Sequence, residues 1–480
     1  MSAGAAQVAG AVGAVGLAIL LAAHRRDLRI AGLAAWALGC AGLVVYLAPH
    51  GHHRLLAAAV VVGLAGAAVG AFVVLRLPWL LALATLACVP ARFPVHVGST
   101  QANLLLPLYG VVAAAAVALA WELSGDGDGR ARELGPLANP LALLVGWEGL
   151  SLLWTKDVRQ GAIELLFFVL PFGLLAVALS RLAWSHGWTL TLYAQLAVTG
   201  LVFAVIGIVQ YETRNIFWNP KVRVDNAYAP SGWFYRVNSV FYDPSIYGRF
   251  LVVAILASLV VILLRRADAL WRLAAALTIA ITWAGLLPSF SQSSFVALIV
   301  AAVLGTIVAW RRASLLVVAA AVLAVALAVV VSPAVRHKAS LSHITSGRST
   351  LVTKGVKVAE HHPVLGVGVG GFRRAYADLA HLRGRNPKAA ASHTTPVTVA
   401  AETGIPGLLL FVWLVVVALR VALTRIAGTF DGAARLAFAL ALAAILVHCV
   451  FYNALFEDPT FWGLLALVVV AARADGVVRP

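Results

Sequence analysis

Apolar runs of membrane-spanning length, separated by short polar breaks, recur from one end of the chain to the other. A helix needs roughly 20 apolar residues to cross a bilayer core. On that measure the pattern predicts helices over 5–23, 29–48, 55–75, 77–91, 103–121, 136–154, 161–180, 188–210, 247–264, 269–287, 293–310, 314–332, 404–423, 434–454 and 459–473, with 77–91 short for a span. The expected fold is an all-α polytopic membrane protein with about 12–15 transmembrane helices. Two polar stretches are much longer than the rest, 211–246 and 333–403, and the second should hold short helices, one of them from Arg348 to Glu360. No period of about 20–50 residues repeats, and no segment reads as a separate soluble domain.

Basic residues orient these helices. Short loops carrying Lys and Arg stay on the cytoplasmic side. Arg25/Arg26, Arg76, Arg130/Arg132, Arg181, Arg265/Arg266, Arg311/Arg312 and Arg420/Arg425 fall in every second loop. The alternation predicts a cytoplasmic C-terminus and, for an odd number of spans, an outward N-terminus. Both long polar stretches then face outward. No basic residue precedes the run from Ala5 to Ala23, and His24, Arg25 and Arg26 follow it, so it reads as a first membrane helix rather than a signal peptide.

Composition agrees: 62% of residues are hydrophobic and only 11% charged, which excludes an ordinary soluble protein. The net charge is +17. The stretch 333–403 holds Arg336, Lys338, Arg348, Lys354, Lys357, Arg373, Arg374, Arg383, Arg385 and Lys388 against only Glu360, Asp378 and Glu402. Long loops are exempt from the positive-inside bias, so an outward basic loop is no contradiction. It calls for an anionic partner, either lipid headgroups or a specific anionic substrate. Cys40, Cys88 and Cys449 lie inside apolar runs and imply packing, with no disulfide framework or metal site.

Several motifs carry little chemistry. Asp126 and Asp128 sit in a glycine-rich linker, where an Asp-x-Asp spacing arises by chance. "GVGVGG" (366–371) matches a dinucleotide fingerprint in letters only, because no strand precedes it and the next acidic residue is Asp378. Its glycines read as a tight reversal ending the helix begun at Arg348. "HGHHR" (50–54) has no nearby Asp, Glu or Cys to complete a metal shell and reads as a solvated loop. More telling are Glu148, Glu164, Arg249 and His448, ionisable groups inside apolar runs, which are costly and mark function by default. By the predicted topology all four lie toward the outer ends of their helices, pointing to a polar site near the outer leaflet, though some can simply snorkel or pair. Arg236 precedes a helix opening near Pro244, and Arg348 stands at a helix start with Ser346 as a candidate cap. An arginine beside free helix N–H groups suits a phosphate or pyrophosphate.

At these residues the chain resembles the bacterial O-antigen ligase and polymerase superfamily of polytopic glycan transferases, over about 200–470. The resemblance consists of Arg236, Phe241 and Pro244 entering a helix, a Ser-rich helix start, and Gly347-Arg348 opening another helix. Pro363, Gly366 and Gly368 follow, and His393 then precedes Glu402, Gly404 and Gly407 before a membrane helix. One position departs from the pattern: the Ser-rich segment commonly reads Ser-Arg, and here it is "SFSQSS" with Gln292. If that arginine binds phosphate in the family, this chain lacks one charge there, which Arg249 or Arg348 could replace.

The resemblance implies a C-type glycosyltransferase-like fold in the bacterial cytoplasmic membrane. It divides the chain into N-terminal transmembrane helices (1–200) and an O-antigen ligase/polymerase-like region (201–480). The implied donor is a glycan on a polyprenyl pyrophosphate, presented at the outer face. The acceptor is a glycan, lipid or protein, and an open basic outer loop leans toward a polymerase over a ligase. Membrane lipids are the other expected partners, and no nucleic acid is. Arg236, Arg348 and Arg249 would bind the pyrophosphate. His393 would be the base for the acceptor hydroxyl, with Glu402, Gln292 and His448 in supporting roles. Glu402 would orient His393 or cap the helix near Pro406, and His448 rivals His393 as the base. The bland reading makes His393 a loop histidine bonded to backbone. No metal or cofactor is expected, and a single displacement inverts the anomeric centre. A transporter or flippase for lipid-linked sugars is the alternative, although no pair of broken helices suggests an inverted repeat.

Overall fold

A computed structural model describes residues 1–48, 53–97, 100–125, 134–214, 226–229, 232–263, 268–310, 348–381 and 392–478. The expected span 314–332, the candidate cap Ser346, Asp126 and Asp128, most of "HGHHR", and much of the two long polar stretches lie outside the described residues. Ten helices among the described residues are long and apolar enough to cross a membrane: Ala3–Ala22, Arg26–Leu47, Leu106–Ser124, Val158–Ser180, His186–Thr213, Pro244–Leu263, Ala269–Ser289, Gln292–Ala309, Thr395–Leu423 and Phe430–Cys449. Val61–Arg76 and Pro459–Ala474 are shorter apolar helices. The chain is an all-α polytopic membrane protein.

Three expected elements differ. The run 77–91 forms a helix of only 9 residues, Leu80–Cys88, roughly 14 Å long against a bilayer core of about 30 Å. Val89 just beyond it keeps helical dihedrals, but Pro90 has no backbone N–H with which to continue the helix. Phe93–Val97 then pairs antiparallel with Thr100–Leu104, from Phe93↔Leu104 to Val97↔Thr100. The run 136–154 yields the 14-residue helix Ala138–Ser151, also shorter than a span. Finally, a helical segment from Thr395 precedes the helix expected from 404 and joins it across a kink at Gly404, so Glu402 stands on a helix rather than in a loop.

The chain divides into two compact units, neither continuous in sequence. The first comprises Met1–Trp184, Val352–Val421 and Asn453–Pro480. Its first two helices pack with glycine against glycine: a Cβ on Gly16 would lie 2.7 Å from the Gly32 carbonyl oxygen. Small residues let membrane helices approach this closely and gain dispersion contact. Helix Val158–Ser180 contains a π turn over Leu165–Val169, directly after Glu164. At one end of the unit, arginines satisfy helix C-terminal carbonyls. Arg26 Nε donates to Leu123 O at 2.7 Å, Arg473 Nη1 donates to Ser180 O at 2.9 Å, and Arg181 pairs with Glu122 at 2.8 Å. Cations there complement the negative end of the helix dipole. Elsewhere in the unit Arg92, buried, donates to the Glu457 carbonyl at 2.5 Å and lies 3.4 Å from its carboxylate.

The second unit comprises Ser185–Leu351 and Ala422–Tyr452. Helix His186–Thr213 is capped by Ser185, whose hydroxyl accepts from Gly187 N, and ends at Arg214 in the left-handed region. Asn226–Ala229 and Gly232–Tyr235 form a hairpin with Tyr228 opposite Trp233. Asp243 caps helix Pro244–Leu263, its Oδ1 accepting from Ser245 N at 2.6 Å. The Tyr247 hydroxyl donates to Gly285 O at 3.0 Å, tying that helix to Ala269–Leu286.

Candidate functional site

In the second unit the Ser-rich segment forms a buried polar cluster. A short 3-10 turn, Leu287–Ser289, ends at Phe290 (φ 46), and helix Gln292–Trp310 starts immediately after. This tight reversal turns Ser289, Ser291, Ser293 and Ser294 inward, all nearly inaccessible. The Ser291 hydroxyl lies 2.7 Å from that of Ser294 and 3.2 Å from that of Ser293. Ser293 Oγ lies 3.0 Å from His448 Nε2, and His448 is wholly buried at the end of helix Phe430–Cys449. Buried hydroxyls must find partners because an unsatisfied one costs about 1–3 kcal/mol; here they satisfy one another. Arg249, on helix Pro244–Leu263, is also buried. Gln292, at the position of the family's usual arginine, is exposed.

Arg236 borders this cluster. Its Nε donates to the Ser289 carbonyl at 2.9 Å, and its Nη2 lies 3.4 Å from the Ser245 hydroxyl. The chain that carries it is anchored on both sides. Val237 N donates to Pro288 O at 3.0 Å. Buried Gln210 binds Ser239 N through Oε1 at 2.7 Å and Asn238 Oδ1 through Nε2 at 2.9 Å. Arg236 is therefore half-buried on a fixed backbone.

The first unit carries His393 and Glu402. His393 has φ 55, a left-handed conformation unusual for a non-glycine residue and concentrated at functional positions. Its neighbours enforce the turn. Buried Ser392 donates to Thr394 O at 2.8 Å, accepts from Thr394 N at 3.1 Å and lies 2.5 Å from the Thr398 hydroxyl. The imidazole itself is only half-buried. Helix Arg348–His361 packs on this turn at Gly355, where a Cβ would lie 2.8 Å from Val397 Cγ1 and 3.4 Å from Ser392 Cβ. Arg348 is the first residue of that helix, as its sequence position suggested.

The "GVGVGG" segment is a clasp against the helix bearing Glu402. Val367 N donates to Ala401 O at 2.9 Å, Gly368 N to Glu402 O at 2.8 Å, and Ile405 N to Pro363 O at 2.8 Å. A Cβ on Gly366 (φ 67) would strike the Glu402 carbonyl. On the other side Val369 N donates to the Ser151 hydroxyl at 2.9 Å. The reversal expected of these glycines does occur, with the preceding helix ending at His361. Its larger consequence is this backbone-to-backbone fit. The Glu402 carboxylate accepts from Phe372 N at 3.1 Å and so caps helix Phe372–Leu379, a role its sequence position did not reveal. Glu148 and Glu164 lie close enough to Glu402 for their charges to interact, and Arg373 acts on Glu164 from the opposite sign.

The structure thus brings Arg236, Arg249, His448 and the serines into one unit, and His393 and Glu402 into the other. The residues that hold them were missed. Ser392 and Thr398 had a faint signal in the hydroxyl-rich "SHTTPVT", whereas Gln210, 26 positions before Arg236, had none. Among the described residues no group of three or more His, Cys, Asp or Glu is placed to hold a metal ion.

Residues 277–412 match the family model described as O-Antigen ligase. That stretch contains the serine cluster's turn, Arg348, the glycine clasp, His393 and Glu402, whereas Arg236, Arg249 and His448 lie outside it. No curated protein matches the chain. The match supports the O-antigen ligase and polymerase superfamily, and with it a role in glycan transfer or ligation at a membrane.

Proposed function

We propose that this chain, matched to the O-antigen ligase model over 277–412, transfers a glycan from a polyprenyl pyrophosphate to an acceptor hydroxyl at the outer face of the bacterial cytoplasmic membrane. The observation that carries the reading is His393, a half-exposed imidazole held in a left-handed turn by buried Ser392 and Thr398 inside the matched stretch. Strain of that kind persists only where surrounding structure over-determines it.

The chemistry follows from the donor. The acceptor oxygen attacks the anomeric carbon, the bond from that carbon to the pyrophosphate oxygen breaks, and its electron pair leaves with the pyrophosphate. His393 takes the hydroxyl proton, a contribution of roughly a hundredfold or more. Pyrophosphate leaves without protonation, so the remaining need is stabilisation of its developing charge. Arg236 is suited to that role, since its Nε and Nη2 are held by Ser289 and Ser245, and a preorganised donor contributes about 2–4 kcal/mol. Arg348 and Arg249 are the further candidates for the pyrophosphate. One displacement inverts the anomeric configuration. A second lipid-linked glycan as acceptor, making the enzyme a polymerase, is slightly favoured over ligation to a lipid or protein, because the basic outer loop suits a long anionic carrier.

The test is to mix purified protein with a polyprenyl-pyrophosphate glycan. Free polyprenyl pyrophosphate should appear together with a longer or transferred glycan. Movement of intact lipid across a vesicle, without cleavage, would replace this reading with a flippase.

A further inference from the structure

An arginine that the proposed reaction does not use closes helix His186–Thr213. Arg214 stands at φ 59 and donates its backbone N–H to Gln210 O at 2.9 Å. Its guanidinium carbon lies 4.3 Å from the Tyr211 ring centre and 4.8 Å from that of Tyr235. Cation–π attraction holds a guanidinium placed this way. A guanidinium carries five N–H donors and no acceptor. Among the described residues those donors meet no carboxylate and no carbonyl, and Arg214 is exposed.

The Tyr235 hydroxyl meets the same residue that anchors the Arg236 segment. Gln210 is buried, and its Nε2 lies 3.4 Å from the Tyr235 hydroxyl and 2.9 Å from Asn238 Oδ1. Tyr235 immediately precedes Arg236. Arg236 turns inward to Ser289 and Ser245, while the Tyr235 ring lies against the exposed Arg214. The half-buried arginine suits a pyrophosphate, which must be shielded. The exposed one suits the part of the same molecule that extends toward solvent, the glycan. A rigid planar fork matches the two oxygens of a carboxylate, and tyrosine rings offer flat amphipathic surfaces to a sugar ring.

We propose that Arg214, Tyr211 and Tyr235 form a recognition site for an acidic sugar, with the sugar carboxylate on the Arg214 fork. The site deepens the transferase reading by assigning a substrate class, and it rests on that reading for the presence of a glycan. Binding can nevertheless be measured without turnover. The full chain is purified in a neutral polyoxyethylene detergent and titrated with a uronic-acid trisaccharide and with its neutral hexose counterpart. The wild type should bind the acidic trisaccharide at least about tenfold more tightly, a difference of about 1.4 kcal/mol. Arg214→Asn retains a residue that tolerates the left-handed region; it should lower the acidic affinity to the neutral level and leave the neutral affinity unchanged. Arg214→Lys should not restore the preference, because it loses the fork. Equal wild-type affinities, or an acidic preference that survives Arg214→Asn, would overturn the site. So would Arg214-dependent binding of phosphatidylglycerol that exceeds binding of the uronate, which would assign the arginine to lipid headgroups. Glycan transfer without uronate preference removes this site alone. Arg214-dependent uronate binding without any transfer removes the transferase reading and leaves the site standing.

Discussion

Replacing Gly404 with alanine probes the clasp that joins Pro363–Gly368 to the helix bearing Glu402. Gly404 has φ 69 and ψ −171, breaking helix Thr395–Leu423 between Glu402 and Pro406. That region is essentially restricted to glycine, and a side chain there costs about 1–3 kcal/mol. The added Cβ would also strike the Val364 carbonyl and lie 3.0 Å from the Pro363 carbonyl oxygen. Both are backbone atoms that cannot rotate away, and overpacking of this kind costs about 1–3 kcal/mol. Displacing them endangers the 2.8 Å bond from Ile405 N to Pro363 O, worth about 1 kcal/mol. The combined loss is about 3–7 kcal/mol. At about 2 °C per kcal/mol for a large domain, the melting temperature in detergent should fall by at least about 6 °C. Gly63→Ala is the matched control, since nothing lies within 4 Å of its added Cβ and it stands inside helix His53–Arg76. A helix-interior alanine is favoured over glycine by about 1 kcal/mol, so that variant should melt at or above the wild-type temperature. A Gly404→Ala protein melting within about 2 °C of wild type would refute the clasp as a stabilising contact.

His393→Ala should lower turnover by about a hundredfold or more while melting and donor affinity hold. Near-normal turnover in folded His393→Ala would move the base elsewhere. Arg236→Lys keeps the charge but not the geometry met by Ser289 and Ser245, so turnover should drop at least about tenfold in both Arg236→Lys and Arg236→Ala; full activity in both would exclude the arginine from the donor site. Gln292 is exposed at the start of its helix, so Gln292→Arg should fold with unchanged melting and retain activity, and a folded but inactive variant would show a donor site built differently from the family pattern. A cysteine at Ala229, in a chain lacking Cys40, Cys88 and Cys449, should react with an impermeant thiol reagent in intact cells; reaction only after lysis would reverse the proposed sidedness.

Much of the helical architecture was legible because spanning a bilayer imposes one crude requirement, enough consecutive apolar residues, and hydropathy measures it directly. The runs at 5–23, 29–48, 188–210 and 269–287 each fold into a candidate span with ends shifted by only a few residues. Helix starts at Pro244 and Arg348 were legible from local chemistry, a fixed proline φ and a capping context. The run 77–91 misled because apolar content says nothing of where Pro90 and the hairpin at Phe93 cut the helix short. The start at Thr395 was hidden because a polar, hydroxyl-rich turn of helix carries no hydropathic signal.

The sequence alone also singled out the candidates for the proposed chemistry: His393, Arg236, Glu402 and the Ser-rich segment stand out by type and spacing. What each one touches was decided only by the tertiary structure. Glu402 caps a helix beginning 30 positions earlier, Ser293 meets His448 155 positions away, and Val369 reaches Ser151 across 218. A hydrogen bond depends on distances of a few tenths of an ångström between groups whose separation in the chain is arbitrary. The glycines show the same division. Their presence announced freedom at positive φ, but only the approach of the Glu402 carbonyl to Gly366 makes the missing side chain necessary there.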